Sequence, residues 1–132
     1  MDQHDERLGL TVTHRRYVPH SHAHYAGSLV DGAYGLGLFG DVATEVCIRI
    51  DGNEGLFASY TDVQFRAPLR AGDIIEVEAV VSRVGTRSRT LDLTLKVMCR
   101  SLPAQGESAA EVLLEPIVAI TATGVVVVPP SP

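Results

Sequence analysis

Alternating hydrophobic and polar residues, the pattern of a half-buried β-strand, recur along most of the chain. The alternation is clear in residues 10–18, 74–84 and 90–98, and residues 117–128 form a β-branched run typical of a central last strand. Residues 56–65 carry aliphatic and aromatic side chains in mixed order and are predicted as a further strand. Turn sequences rich in Gly, Asp and Asn separate these segments, so the pattern predicts an antiparallel sheet of about five to six strands.

One stretch, from Ser28 to Glu45, has helical periodicity instead. Ser28 is predicted to cap its N-terminus, and apolar residues then recur near one face. Four glycines within it each cost about 1 kcal/mol relative to alanine, so contacts outside the helix must hold it. Because glycines on several faces admit close approach of other segments, we predict a helix wrapped by the sheet. The glycines are Gly32, Gly35, Gly37 and Gly40.

The segments between these elements are less regular. Residues 46–50 are apolar and are predicted as a short strand directly after the helix. Residues 101–108 are predicted as a loop by their Pro, Gly and Ser content, and residues 109–114 as one helical turn at most. A single early helix among several strands is an α+β pattern.

Length, charge and cysteine content restrict the class of protein. A chain of 132 residues, 45% of them hydrophobic, suits one domain over residues 1–132 with flexible ends at 1–9 and 129–132. The net charge of -5 argues against nucleic acid as a partner. No apolar run approaches the roughly 18 residues of a membrane span and no signal sequence is visible, so we expect no membrane contact and a cytoplasmic protein. Cys47 and Cys99 lie in apolar runs and are expected to be small hydrophobic residues without a disulfide.

Three histidines, His20, His22 and His24, stand at alternate positions before the helix. In an extended segment they would project to one side, as metal ligands do. No acidic or cysteine partner stands at a supporting spacing, so we predict no metal site.

Six sequence blocks follow one another in a defined order and spacing: HAHYAGSLVDGA (22–33), FGDVATE (39–45), IDGNEGLF (50–57), FRAPLRAGD (65–73), VGTRSR (84–89) and LEPIV (114–118). Together they resemble the 3-aminobutyryl-CoA and β-alanyl-CoA ammonia lyases, which have the hotdog fold. The resemblance implies a curved antiparallel sheet around one long central helix, and two chains whose sheets join edge to edge. It also implies a homodimer, which in this fold often assembles into a trimer of dimers. The implied reaction interconverts a short β-aminoacyl-CoA with the 2-enoyl-CoA and ammonia, with coenzyme A as part of the substrate and no separate cofactor.

Acyl-CoA thioesterases of the same fold are the main alternative. They share the spacing of His24 and Gly27 and the aromatic-x-x-Pro before Gly-Asp in residues 65–73. Counted from Gly27, the helix aspartate of many such thioesterases would fall at Phe39, whereas this chain carries Asp41, turned by about 200° around the helix. That difference favours the lyase over a short-chain thioesterase. A non-catalytic acyl-CoA-binding module is a third possibility.

The lyase reaction requires stabilisation of an enolate and transfer of the α-proton. Backbone N–H groups of residues 26–29, at the predicted helix start, are expected to form the oxyanion site, with Gly27 allowing close approach of the acyl group and Ser28 beside it. His24 and Tyr25 flank this turn and are predicted to orient the amine or relay a proton. The resemblance adds Phe65 as a substrate-binding residue.

Asp41 and Glu45, four residues apart on one helix face, are the predicted acid and base. Repulsion between them is expected to raise one of the two pKa values. The alternatives are structural: a salt bridge from Glu45 to Arg49, and a loop N–H bound by Asp41. Asp41 lies about 20 Å along the axis from Ser28, so both ends can act on one substrate only if two chains share the site.

Two further sets of residues are candidates for the functional site. Arg87, Ser88 and Arg89 are predicted to bind the phosphates of coenzyme A, because arginine matches phosphate geometry; the alternative is a solvated hairpin end. Glu115 is a reserve acid or base that the sequence alone does not rank against Glu45.

Overall fold

The computed structural model describes residues 5–130, which form one long helix against a five-stranded antiparallel sheet, with a smaller three-stranded sheet beside the helix start. The order in the large sheet is β1-β6-β7-β8-β4, so β1 and β4 are its edges. The small sheet has the order β2-β3-β5. The elements are β1 (Thr11–Tyr17), β2 (Ala23–Tyr25), β3 (Leu29–Val30), α1 (Gly32–Asp51), β4 (Leu56–Phe65), β5 (Leu69–Arg70), β6 (Ile74–Val84), β7 (Ser88–Ser101) and β8 (Ala110–Val127).

Strict alternation in β6 and β7 builds the core. Every second residue of both strands is buried through most of their length, and the register places Val77 opposite Leu95. These inward residues meet the apolar face of α1, where Phe39 and Val42 are fully buried. The predicted α+β class is therefore confirmed, with one long helix crossing an antiparallel sheet.

The helix begins at Gly32 and not near Ser28. Asp31 is the N-cap, and its Oδ1 accepts a hydrogen bond of 3.0 Å from Tyr34 N. The helix ends at Asp51, where Gly52 adopts the left-handed conformation (φ 63°) and its N–H donates to Ile48 O.

Two local predictions were wrong. Residues 46–50 are the last turns of α1, because Val46 and Cys47 continue its buried face; a short apolar run does not distinguish helix from strand. Residues 110–114 are strand, not a helical turn, because pairing with β7 places Ala110 opposite Ser101 and Val112 opposite Cys99.

Close approach to the helix glycines is confirmed at two positions. A Cβ built at Gly32 would lie 2.3 Å from the Phe65 ring, and one at Gly35 would lie 2.3 Å from Ile120 Cδ1. Among the described residues, no atom of another segment lies within 4 Å of a Cβ built at Gly37 or Gly40. One side of α1 thus packs on the sheet and the side with Gly37 is exposed.

The predicted flexible ends lie partly outside the described residues, which exclude 1–4 and 131–132. Within 5–9, Gly9 N donates to Val81 O at 2.8 Å, which connects this segment to β6. No helix in the described part of the chain is both long and apolar enough to cross a membrane.

Candidate active site

The start of α1 borders a cavity of about 440 Å³. Residues 30–33 form one wall, residues 65–69 form another, and Ile120 of β8 completes the lining. Phe65, predicted to contact substrate, is among these residues and rests its ring against Gly32. The cavity therefore brings helix N–H groups and apolar side chains to one place.

The wall made by residues 65–69 is held by hydrogen bonds on both of its sides. Arg66 N and Ala67 N both donate to Ala119 O, at 2.8 and 3.2 Å. Arg100 donates from Nη2 to Pro68 O at 2.9 Å, and from Nε and Nη2 to the carboxylate of Asp73 at 3.1 and 2.9 Å.

Asp73 is completely buried and is the centre of this arrangement. Besides the Arg100 contacts, its Oδ2 accepts from Arg70 N at 2.8 Å, which fixes the turn between β5 and β6. A buried carboxylate is stable here because a guanidinium and a backbone N–H satisfy it.

The turn Ala26–Ser28 precedes the helix and is not its first turn, so the predicted site of the oxyanion donors is corrected. Gly27 (φ 72°) and Ser28 (φ 62°) both adopt left-handed conformations, which are uncommon for serine. Ser28 O accepts from Ala71 N at 2.9 Å, which stabilises the turn. Both residues are exposed and neither lines the cavity.

His24 and Tyr25 lie on β2, exposed and outside the cavity lining. Their rings are in edge-to-face contact, with centroids 4.6 Å apart. His22 is placed differently, since its ring lies 4.4 Å from that of Tyr34 in the first turn of α1.

Asp41 and Glu45 have different surroundings. Asp41 is exposed, on the side of α1 that faces away from the sheet. Glu45 accepts from Arg49 Nε at 2.8 Å and bonds His14 Nε2 at 2.7 Å. Arg49 first and His14 second lower the pKa of Glu45, so the expected rise in pKa from a repelling carboxylate pair does not occur at Glu45.

The helix length separates these carboxylates from the cavity. Asp41 is nine residues after Gly32, about 14 Å along the axis, and Glu45 is about 20 Å away. A second groove of about 410 Å³ runs between α1 and the edge strand β4, lined by Leu36, Gly37, Gly40 and residues 57–60.

Of the three predicted phosphate-binding residues, Arg89 is corrected to a structural role. Its side chain is buried, Nε and Nη2 bind the carboxylate of Asp51 at 3.0 and 2.7 Å, and Nη1 donates to the carbonyls of Gly85 and Ser88. No nitrogen of this guanidinium remains for a phosphate. Arg87 is exposed and donates from Nε to Val128 O at 3.2 Å, while Ser88 is half-buried.

The other candidates lie apart from the cavity. Glu115 is exposed on β8.

The two cysteines have different surroundings. Cys47 is buried, as predicted, and burial raises the pKa of its thiol, while Cys99 is half-buried; both thiols are free. Within residues 5–130, no three His, Cys, Asp or Glu side chains are grouped as metal ligands.

Sequence reasoning missed two residues that the structure places at these sites. Asp31 lines the cavity, and its position before Gly-Ala could have identified it as an N-cap competing with Ser28. His14 holds Glu45 from a strand 31 residues away, and no local pattern signals that pairing.

Comparison with known proteins agrees with this architecture. The family model described as the thioesterase superfamily matches residues 29–97. A hexameric hotdog fold thioesterase of Campylobacter jejuni has a similar structure, with a TM-score of 0.68, 18% identity and coverage of 93% of this chain and 84% of that chain. The chain belongs to the thioesterase superfamily, with the hotdog fold.

Two more similar proteins narrow the assignment. The 3-aminobutyryl-CoA ammonia lyase of Acetoanaerobium sticklandii is 49% identical over 107 residues, covering 81% of this chain and 85% of the relative. The structure of β-alanyl-CoA:ammonia lyase from Clostridium propionicum matches with a TM-score of 0.86 and 31% identity, over 92% of this chain and 86% of that one. Within its superfamily, the chain belongs to the family of these CoA-thioester ammonia lyases.

Proposed function

We propose that this protein is a carbon-nitrogen lyase that interconverts a short β-aminoacyl-CoA, of the 3-aminobutyryl or β-alanyl type, with the 2-enoyl-CoA and ammonia. The observation that carries the proposal is the 49% identity with a 3-aminobutyryl-CoA ammonia lyase over most of both chains. Coenzyme A enters as part of the substrate, and the reaction needs no separate cofactor.

The cavity at the start of α1 suits the acyl part of such a substrate. Its walls are largely apolar, and its volume of about 440 Å³ lies in the range of small-ligand sites. The backbone N–H groups of Gly32 and Ala33 are at the end of the helix where such groups lack intrahelical partners, while Tyr34 N is bound by Asp31. We assign the stabilisation of the thioester oxygen to this first turn of α1.

The elimination then proceeds by removal of the α-proton. The electron pair of the C–H bond moves toward the thioester carbonyl and forms the enolate, which returns it to form the C=C bond as the C–N bond breaks and ammonia leaves. A carboxylate is a suitable base for the proton. Asp41 is our first choice, because Glu45 is bound by Arg49 and His14, whereas no described residue donates to the Asp41 side chain.

A second copy of the chain is required to complete this site, since Asp41 lies about 14 Å along the helix from Gly32. The edge strand β4 exposes Leu56 and Phe65, and the groove between β4 and α1 is open. These features support a homodimer that joins its sheets at β4 and places Asp41 of one chain near the cavity of the other. A trimer of such dimers is the proposed larger assembly, in keeping with the hexameric relative.

The remaining contacts are assigned to the rest of the substrate. His24, Tyr25, Gly27 and Ser28 are exposed beside the helix start, where a thioester in the dimer would pass. Arg87, exposed at the β6–β7 turn with Ser88 next to it, is the proposed phosphate contact. We propose a cytoplasmic location, where Cys47 and Cys99 would stay reduced.

One experiment separates the lyase from a short-chain acyl-CoA thioesterase, the alternative supported by the superfamily match. The protein is incubated with crotonyl-CoA and ammonia, and both free thiol and the amine adduct are measured. A lyase is expected to form the amine adduct without releasing free thiol. Release of thiol without adduct would support hydrolysis, and binding without either product would support a binding module.

The acid and base assignment is tested in the same assay. Asp41→Asn is expected to lower kcat by at least about a hundredfold, as expected for loss of a proton-transfer group. Glu45→Gln is the matched variant on the same helix face. Full activity of Asp41→Asn would contradict the assignment of Asp41, and loss confined to Glu45→Gln would transfer the role to Glu45.

A further inference from the structure

Asp31 is a charged side chain in the lining of the largely apolar cavity at the start of α1. Its Oδ1 accepts the helix-capping hydrogen bond from Tyr34 N at 3.0 Å. Among the described residues, no group donates a hydrogen bond to its Oδ2. Asp31 is half-buried and lines the cavity, so its carboxylate is accessible to a ligand bound there.

The other charged residue of the lining, Arg66, is bonded elsewhere. Its Nε donates to Thr121 Oγ1 at 3.1 Å. Thr121 is next to Ile120 on β8, and adjacent side chains of a strand point to opposite faces of the sheet. Because Ile120 lines the cavity, the Thr121 hydroxyl and the Arg66 nitrogen bound to it lie on the other face. The charge that the cavity lining presents to an acyl group is therefore negative.

A carboxylate is an unexpected neighbour for an acyl thioester. Coenzyme A is itself an anion, and a saturated or unsaturated acyl chain offers no group that a carboxylate would bind. A β-aminoacyl group differs from saturated and unsaturated acyl groups because it carries an ammonium group with three N–H donors. A carboxylate facing an apolar cavity is suited to bind such a cation through a charge-assisted hydrogen bond.

From this arrangement we infer that Asp31 binds the β-ammonium group of the substrate and selects β-aminoacyl thioesters over acyl thioesters without the amine. The inference rests on the proposed function for the identity of the substrate. It adds a specificity residue that is separate from the acid and base on α1. Asp31 then has two roles: Oδ1 caps the helix, and Oδ2 binds the ammonium group.

The variant that tests this inference is Asp31→Asn. Asparagine is as good an N-cap as aspartate, so its side-chain oxygen keeps the bond to Tyr34 N while the charge is lost. Asp92→Asn is the matched control, because it removes the same charge from an exposed position on β7, on the face opposite the buried Leu91 and Leu93. Thermal unfolding of all three proteins checks that the fold is retained.

The ligands are two thioethers, S-(3-aminobutyl)-CoA and S-butyl-CoA, which lack the carbonyl and cannot undergo elimination or hydrolysis. Their dissociation constants are measured by calorimetry, so the result does not depend on turnover. The wild type and Asp92→Asn are expected to bind the amino thioether more tightly. Asp31→Asn is expected to lose about tenfold or more of this preference, the size of a hydrogen bond to a charged group, with the affinity for S-butyl-CoA within about twofold of the wild type.

Two results would overturn the inference. One is an unchanged preference in Asp31→Asn, which would mean that Asp31 acts only as a helix cap. The other is an equal loss of affinity for both ligands, which would mean that the charge of Asp31 does not recognise the ammonium group. Failure of the proposed function is detected separately, as absence of amine addition to crotonyl-CoA by the wild-type protein. The binding comparison does not depend on that result.

Discussion

Arg89 and Asp51 form a buried bidentate ion pair that fastens the C-terminal end of α1 to the start of β7, with Nη2–Oδ1 and Nε–Oδ2 distances of 2.7 and 3.0 Å. The pair joins residues 38 positions apart in the chain. It replaces the phosphate contact that the basic sequence around Arg89 had indicated, because all three guanidinium nitrogens are occupied within the chain.

Arg89→Met is therefore expected to lower the free energy of unfolding by about 3–5 kcal/mol, because it leaves Asp51 without its partner in a largely buried position. Arg87→Met is the matched variant at an exposed position and is expected to change stability by less than about 0.5 kcal/mol. Chemical denaturation measures both. In contrast, affinity for free coenzyme A should fall in Arg87→Met; an Arg87 variant that binds coenzyme A like the wild type would contradict the phosphate assignment.

Arg100→Met tests the ion pair that supports the cavity wall. Asp73 is fully buried, so loss of Arg100 is expected to lower the free energy of unfolding by about 3–5 kcal/mol. Arg83→Met, at an exposed position of β6, provides the comparison. A loss below about 1 kcal/mol in Arg100→Met would mean that Asp73 is satisfied by other groups.

Gly35 and Ile120 offer a test of close packing. Gly35→Ala places a methyl group 2.3 Å from Ile120 Cδ1 and is expected to cost about 1–3 kcal/mol, partly offset by the higher helix propensity of alanine. Ile120→Val removes Cδ1 and alone should cost about 0.5–1.5 kcal/mol.

The double variant is expected to be more stable than the sum of the two single changes, since valine leaves room for the alanine methyl group. Denaturant unfolding of the four proteins in the cycle measures this coupling. Strict additivity would show that the helix and β8 adjust without contact between these two positions.

Glu45 gives stability a defined dependence on pH. Arg49 and His14 lower the pKa of Glu45 from its ordinary value of 4.5, so the folded protein holds this proton less tightly than the unfolded chain. Its stabilisation is complete above pH 4.5 and is lost as the pH falls through the lower folded pKa.

The difference in melting temperature between the wild type and Glu45→Gln should thus be largest near neutral pH and decrease below about pH 4.5. Glu107→Gln, at an exposed loop position, serves as the control and should show no such trend. A difference that is the same at pH 3 and pH 7 would contradict the ion-pair explanation.

The sequence pattern was sufficient where burial alternates or where turn residues bound a strand. Strands β4 and β6 begin and end at the predicted residues, because alternation or turn residues mark both of their ends. It failed at the helix ends. The first turn was placed near Ser28, since both Ser28 and Asp31 can act as caps, and the pairing of β3 with β2 and β5, which keeps residues 29–30 extended, is not visible in the local sequence.

The candidate site was predicted in part. Phe65 lies in the lining of the cavity beside the helix start, whereas Gly27 and Ser28 lie outside it. Asp41 remains a prediction that depends on a second chain. Glu45 and Arg89 look like catalytic and phosphate-binding residues in the sequence. Glu45 is bound by Arg49, as the structural alternative had predicted, but its second partner His14 and the Asp51 partner of Arg89 are not revealed by local sequence.

The sequence by itself determined the α+β class, the order of the main strands, the early glycine-containing helix and the family, because these depend on periodic burial and on motifs that are contiguous in the chain. Only the tertiary structure decided which charged groups are available to a substrate. Arg89, Glu45 and Asp73 bind partners from other elements, whereas Asp31 lines the cavity and its side chain accepts a hydrogen bond only from Tyr34 N among the described residues. Availability depends on contacts between residues far apart in the chain, and those contacts exist only after the helix packs on the sheet.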